Sequence, residues 1–343
     1  MDDSQYRRDP LAFEGRVETR PFESEALRGN ALGDAFTREV PVYLPPGFER
    51  AEGGLPVVFI LSAFTGRPQA LLETHPWKAG VVQAFDRAVS SGAAAPAILV
   101  MPDAFTRLGG SQYVDSACCG NYETYVAREL VDFIDDTYPT RPGRRALCGK
   151  SSGGFGALHL GMRHSQTFPV VASISGDCHF EFGYASDFLN AARGLLAHGS
   201  DPAAFLSAFA ENCDLSGDGH AVLNLLAMSA CYSPNPASPL GFDLPIDPTS
   251  GERVEATWRR WLEYDPLHAS ERFAANLRQL EWLYLEAGRG DEFHLQFALR
   301  ALTGRLTELG IPFEHQEFEG GHFGLNARLT ALLPQLIERL GRD

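Results

Sequence analysis

Two five-residue runs in this chain, Val57-Val58-Phe59-Ile60-Leu61 and Ala97-Ile98-Leu99-Val100-Met101, contain no polar position at all. An extended segment of that kind must be buried on both of its faces, which is the condition of a strand inside a parallel sheet covered by helices on each side. Strands are also expected at 40–44, ended by Pro45-Pro46-Gly47, and at 145–148, 170–174, 280–285 and 313–318. Between them the apolar spacing becomes helical. Val126, Leu130, Phe133 and Ile134 predict a helix over 123–137 that Pro139 and Pro142-Gly143 close. Leu295, Leu299, Leu302, Leu306 and Leu309 predict another, stopped by Gly310-Ile311-Pro312, and a last helix fits 327–340. This alternation defines an α/β class with a mostly parallel central sheet flanked by helices.

One stretch breaks the rhythm. Residues 178–278 are too many for a connection between sheet strands, carry helical apolar spacing, and include Ser233-Pro234-Asn235-Pro236. They read as a helical cap inserted into a single domain that spans 1–343. Trp258, Trp261, Phe205 and Phe209 lie within it at helical spacing, and are assigned to its core in preference to an acyl pocket.

The formal net charge of −15, with no basic run, opposes any grip on a phosphate backbone, so nucleic acid is excluded as a partner. No segment reaches the roughly 18 consecutive apolar residues of a membrane span, and the first residues show no apolar stretch behind their charges. The expected setting is cytoplasmic. Cys118, Cys119, Cys148, Cys178, Cys213 and Cys231 form no C-x-x-C pair and no zinc-like spacing, which makes them reduced thiols and leaves no metal site.

Chemistry enters at Gly149-Lys150-Ser151-Ser152-Gly153, a G-x-S-x-G pattern directly after an expected strand and before a helix-like Gly154-Phe155-Gly156-Ala157-Leu158. Glycine fills 34 of 343 positions, so the pattern decides little without that strand-to-helix context. At such an elbow the nucleophile occupies a sharp bend, and flanking positions must be nearly free of side chain. Gly149-Lys150-Ser151 also resembles the end of a phosphate-binding loop, but Arg144 stands where that loop needs its first glycine.

A serine hydroxyl needs a base within hydrogen-bond reach, and the base needs a carboxylate to hold it. On this architecture the order is serine, acid, histidine, the last two on loops after strands. Asp291 follows Ala287-Gly288-Arg289-Gly290, and His322 follows Glu319-Gly320-Gly321, so order and context agree. Asp291 also fits a helix N-cap, a role that can coexist. Glu286 and Asp177 are weaker candidates for the acid, as are His294, His315 and His179 for the base. An oxyanion needs two backbone N–H donors: that of Ser152, after the nucleophile, and one from the loop Ser62-Ala63-Phe64-Thr65-Gly66.

With these residues identified, the chain resembles the branch of the α/β-hydrolases that includes esterase D (S-formylglutathione hydrolase), the ferric-enterobactin esterases and the mycolyltransferases. Ile60-Leu61-Ser62-Ala63-Phe64-Thr65 resembles the oxyanion segment of esterase D, which implies Phe64 as the second donor. Gly149 to Leu158 resembles the nucleophile segment, Gly288-Arg289-Gly290-Asp291-Glu292-Phe293 the G-x-x-D-x-F acid segment, and Glu319-Gly320-Gly321-His322 the histidine segment of the enterobactin-esterase type. Gly109 to Tyr113 and Gly120 to Glu123 are similar to loops beside the active site, and equally fit a structural connection. Gly66 stands where esterase D has a cysteine, and the 178–278 insertion exceeds that of a compact thioesterase, so glutathione thioesters fit poorly.

The resemblance implies an α/β-hydrolase fold and a serine carboxylesterase that hydrolyses small-molecule esters through an acyl-enzyme, with no cofactor. A mycolyltransferase-type acyltransferase, an S-formylglutathione hydrolase-type thioesterase and a catalytically silent binding module are the alternatives. Acyl and alcohol specificity, and assembly into a homo-oligomer, stay open.

Overall fold

The computed structural model describes residues 13–73, 77 and 79–341. Its strands are β1 (Arg16–Glu23), β2 (Thr37–Leu44), β3 (Leu55–Leu61), β4 (Ile98–Val100), β5 (Asp115–Ser116), β6 (Gly120–Asn121), β7 (Thr140–Lys150), β8 (Val170–Ile174), β9 (Trp282–Gly288) and β10 (Glu314–Phe318). Eight of them form one sheet in the order β1-β2-β4-β3-β7-β8-β9-β10, while β5 and β6 make a small hairpin. From β4 to β10 every pairing is parallel, and β1 and β2 add an antiparallel edge.

The period of two residues in β3 sorts its side chains into two cores. Val57, Phe59 and Leu61 join Phe155 and Leu158 on one face, with Leu299 and Leu302. Val58 and Ile60 join Val81, Phe85, Leu329 and Leu333 on the other. The all-apolar run is therefore explained by burial on both sides, as its composition requires. Strand β1 and the helix Val81–Ser90 go beyond the sequence reading. The sequence of β1, Arg-Val-Glu-Thr-Arg-Pro-Phe-Glu, is charged and carries a proline because it is an edge, where unpaired backbone invites aggregation unless blunted.

The helix expected over 123–137 is not continuous. A short turn at Tyr122–Thr124 leads into a π-helical turn at Tyr125–Glu129 and then the α-helix Leu130–Thr137. At its start the Glu123 carboxylate meets His159 Nε2 at 2.8 Å and His164 Nε2 at 2.9 Å, tying this segment to the far end of helix Ser152–Arg163. Between β8 and β9 the chain forms helices Phe188–Leu196, Pro202–Asn212, Gly219–Tyr232, Glu255–Leu262 and Pro266–Arg272. Trp258 and Trp261 are fully buried there among Phe188, Tyr184 and Tyr232.

The sheet order reverses between β4-β3 and β7, which opens a crevice at the carboxyl ends of β3 and β7. Helix Ser152–Arg163 crosses there at very short range. A Cβ on Gly153 would lie 2.1 Å from the Leu61 carbonyl oxygen, and one on Gly149 would lie 2.4 Å from Gly153 backbone. Gly153→Ala is thus expected to cost at least about 2–3 kcal/mol, since the obstacle is backbone that cannot rotate away. Urea unfolding followed by circular dichroism measures it, and a wild-type midpoint would refute the close approach.

Candidate functional site

Parallel register brings the functional loops to one edge of the sheet. Leu61 pairs with Gly149, Lys150 with Ile174, Ile174 with Glu286, and Gly288 with Phe318. The residues that follow each strand end emerge side by side, although Ser151 and His322 among them are 171 positions apart in sequence.

Ser151 sits between β7 and its helix with φ 55° and ψ −127°. A β-carbon at positive φ is strained, and here the bend is held by the Ser151 N–H bond to the Ile174 carbonyl at 2.9 Å. The Ser151 Oγ lies 2.9 Å from His322 Nε2, and His322 Nδ1 lies 2.8 Å from Asp291 Oδ2. With Nδ1–H donating to the carboxylate, Nε2 is left as the acceptor for the serine proton. The Asp291 side chain is wholly buried, and its other oxygen accepts the Phe293 N–H at 3.0 Å. The N-cap of the following helix is His294, so the capping role expected for Asp291 becomes a loop turn.

The acid and histidine loops are joined through their backbones. Gly290 N–H donates to the Gly320 carbonyl at 2.9 Å, and Arg289 N–H to that of Phe318 at 2.9 Å. Glu292 then accepts the His322 N–H at 2.6 Å, a clamp on the imidazole's own backbone that the sequence reading did not single out.

Ser152 opens its helix, where the first N–H groups have no intrahelical partner, and the Ser151 N–H is already spent on Ile174. In the loop after β3, Thr65 has φ 58° and its N–H donates to the Gly109 carbonyl at 2.8 Å, while Gly66 closes a turn on Ala63. Neither the Phe64 nor the Ser152 N–H has a hydrogen-bond partner among the described residues. Gly109 and Gly110 pack directly behind the Phe64 ring, and the Tyr113 hydroxyl donates to the Ser62 carbonyl at 2.8 Å, so the 109–113 segment supports this loop, while Gln112 donates to the Tyr184 hydroxyl at 2.7 Å.

A cavity of about 260 Å³ opens over Ser151 and His322. Phe64, Phe293 and Phe323 line it with the polar side chains of Lys150, Asp177, Asp187, His220 and Asn224. Burial pushes the Asp177 carboxyl up to about 6, against the opposing pull of the His322 imidazole and a hydrogen bond with Tyr184. Burial lowers the Lys150 ammonium, and the Glu73 charge opposes that shift. Trp258, Trp261, Phe205 and Phe209 do not line this cavity; Phe205 and Phe209 line a separate hollow with Arg193 and Asp218.

The sequence pattern of the family described as "Putative esterase" matches residues 32–323. The chain belongs to this esterase family. It is 29% identical over 157 residues to the S-formylglutathione hydrolase of Bos taurus, a match covering 40% of this chain and 51% of that protein. It therefore spans about half the length of that curated relative. Among solved structures, the S-formylglutathione hydrolase of Agrobacterium tumefaciens aligns with TM-score 0.61 at 18% identity over 96% of this chain and 97% of the other. A ferulic acid esterase aligns with TM-score 0.59 at 22% identity over 96% and 100%. These likenesses establish the α/β-hydrolase fold.

Within this family member the weaker sequence candidates have other work. Glu286 is buried against Arg328 and the Tyr284 hydroxyl. His179 stacks on Phe182, and His315 lies on edge strand β10. Asp177 reaches the cavity without bonding His322. No group of three or more His, Cys, Asp or Glu side chains fit to hold a metal ion occurs among the described residues. No described helix is long and apolar enough to cross a membrane.

The clamp on His322 generates a prediction. Glu292→Ala leaves the triad side chains intact but frees the loop, and is expected to lower kcat for p-nitrophenyl acetate by about 10–100-fold with little change in KM. A kcat equal to wild type would show that the imidazole is held by Asp291 alone.

Proposed function

We propose that the chain is a serine carboxylesterase in which Ser151 is the nucleophile, His322 the base and Asp291 the residue that orients it. The observation that carries this reading is the His322 ring lying 2.9 Å from the Ser151 hydroxyl and 2.8 Å from the Asp291 carboxylate. His322 takes the serine proton as Oγ attacks the ester carbonyl, then returns it to the departing alcohol. The Phe64 and Ser152 N–H groups receive the tetrahedral oxyanion, with the positive end of helix Ser152–Arg163 behind it. Water, deprotonated by the same imidazole, then releases the acid from the acyl-enzyme.

Family membership and the S-formylglutathione hydrolase relative support ester-type chemistry at this serine. The cavity, at about 260 Å³, suits a small-molecule ester. The 178–278 segment acts as a cap within the single domain, because Tyr184, Asp187, His220 and Asn224 reach from it into the cavity. All six cysteines are free, which fits a reducing cytoplasmic setting.

Ser151→Ala is expected to reduce p-nitrophenyl acetate turnover by roughly 10⁶-fold. It is also expected to abolish labelling by a fluorophosphonate probe, which the wild-type enzyme is expected to take up at one site. Near-normal turnover by that variant would end the assignment. Product analysis with added alcohols separates water from an alcohol as the acyl acceptor; accumulation of new ester would identify an acyltransferase.

A further inference from the structure

The cavity over Ser151 contains a carboxyl group that the proposed mechanism does not use. Asp177 leaves the end of β8 in Ser175-Gly176-Asp177 and lines the cavity, and Ser175 before it is held at φ 45°, at an energetic cost. Asp187 lines the same cavity. Among the described residues neither carboxylate is in an ion pair: Arg193 is engaged by Asp218 at 2.6 Å, and Asp187 receives only the Asn190 amide at 2.6 Å. Lys150, the lysine in the lining, has Glu73 as its charged neighbour. Phe64, Tyr184, Phe293 and Phe323 add aromatic rings to the lining.

A partly buried carboxylate without a cation is costly, and aromatic faces attract a weakly hydrated cation through their quadrupole. Together they make a surface whose missing partner is positive. We propose that Asp177, aided by Asp187, is a specificity-determining residue that selects esters carrying an ammonium group, seated against the aromatic wall of the catalytic cavity. The net charge of −15 would also draw such substrates toward the mouth. Neutral esters fit the same space but gain nothing from the carboxylate. Glutathione, with its own carboxylates, would be opposed by it.

This inference rests on the esterase reading, so its test compares matched substrates turned over by the same triad. Choline butyrate is paired with the neutral ester in which carbon replaces the choline nitrogen, which places the charge in the alcohol. The p-nitrophenyl ester of a trimethylammonio-terminated butyrate is paired with its all-carbon isostere and with a hydroxyl-terminated analogue, which places it in the acyl chain. At pH 8 the kcat/KM ratio of cationic to neutral ester is expected to be at least about tenfold in one of the two series. Asp177→Asn should bring that ratio to near one.

The ratio also carries a pH signature. The titratable groups that act on Asp177 are His322 and Asp291 from the loops after β10 and β9, Tyr184 and Cys178 from its own segment, and Tyr232 from helix Gly219–Tyr232, and Lys150, Asp187 and His220 share the cavity lining with it. Protonation of His322 slows both esters of a pair alike and cancels in the ratio. The carboxyl, pushed up to about 6 by burial, is anionic above that value, so the cation preference should grow from pH 5 to pH 8 and be flat in Asp177→Asn. Ratios near one in both series, a preference for the hydroxyl-terminated ester, or an equal loss on both members of a pair in Asp177→Asn would each overturn the proposal while leaving the esterase reading standing. Failure of all the esters together with absent fluorophosphonate labelling would instead strike the esterase reading itself.

Discussion

The site depends on the hydrogen-bond ladder of the parallel sheet. Because β3, β7, β8, β9 and β10 run the same way, their last residues fall in register and their exits share one edge. An antiparallel pairing at any of these steps would send one loop to the opposite end of the molecule. Ser151, Asp291 and His322 meet because each follows a strand end, and the distances between them are set by strand spacing before any side chain is chosen. The two cores above and below the sheet hold that ladder rigid, so the loops inherit precision from buried valine, isoleucine and leucine.

That rigidity is also what sustains strain. Thr65, Gln112, Tyr113, Ser151 and Ser175 all have positive φ, and all lie on the loops around the cavity or directly behind them. Each such residue costs of order 1–3 kcal/mol, which a loosely packed loop would release by relaxing. Here the glycines at 149, 153 and 156 let backbone and the Tyr113 ring come so close that relaxation is blocked; a Cβ at Gly156 would meet the Tyr113 ring at 2.3 Å. The small residues are needed less for flexibility than for the contact they permit.

Much of this was legible in the sequence, and for a physical reason. Burial on both faces leaves unbroken apolar runs, so β3, β4 and β8 declare themselves, and the elbow declares itself because few residues tolerate its geometry. The edge strand β1 did not, because solvent accepts the charges and proline that its sequence carries. The π-helical turn at Tyr125–Glu129 was hidden since its apolar spacing differs little from that of a continuous helix. Glu292 was hidden for another reason: its contact is to a backbone N–H, and backbone partners leave no trace in the residue type across the gap. The lining from Tyr184, Asp187, His220 and Asn224 depends on how helices fold back over the sheet, which local patterns do not encode.

Two carboxyl groups, Asp291 and Asp177, approach one imidazole, and their surroundings divide their roles. Asp291 receives the Phe293 N–H on one oxygen and the His322 ring on the other, so both oxygens are committed within the protein. Its burial is compensated locally, and nothing about it is left for a ligand. Asp177 has the Tyr184 hydroxyl, whose oxygen also accepts from Gln112, and no ion-pair partner among the described residues, so burial prevails and its carboxyl is pushed up to about 6. A fold that only needed a packed wall could have placed an apolar residue there at lower energetic cost. The carboxyl group is therefore better understood as a feature completed by what enters the cavity than as part of what holds the cavity together.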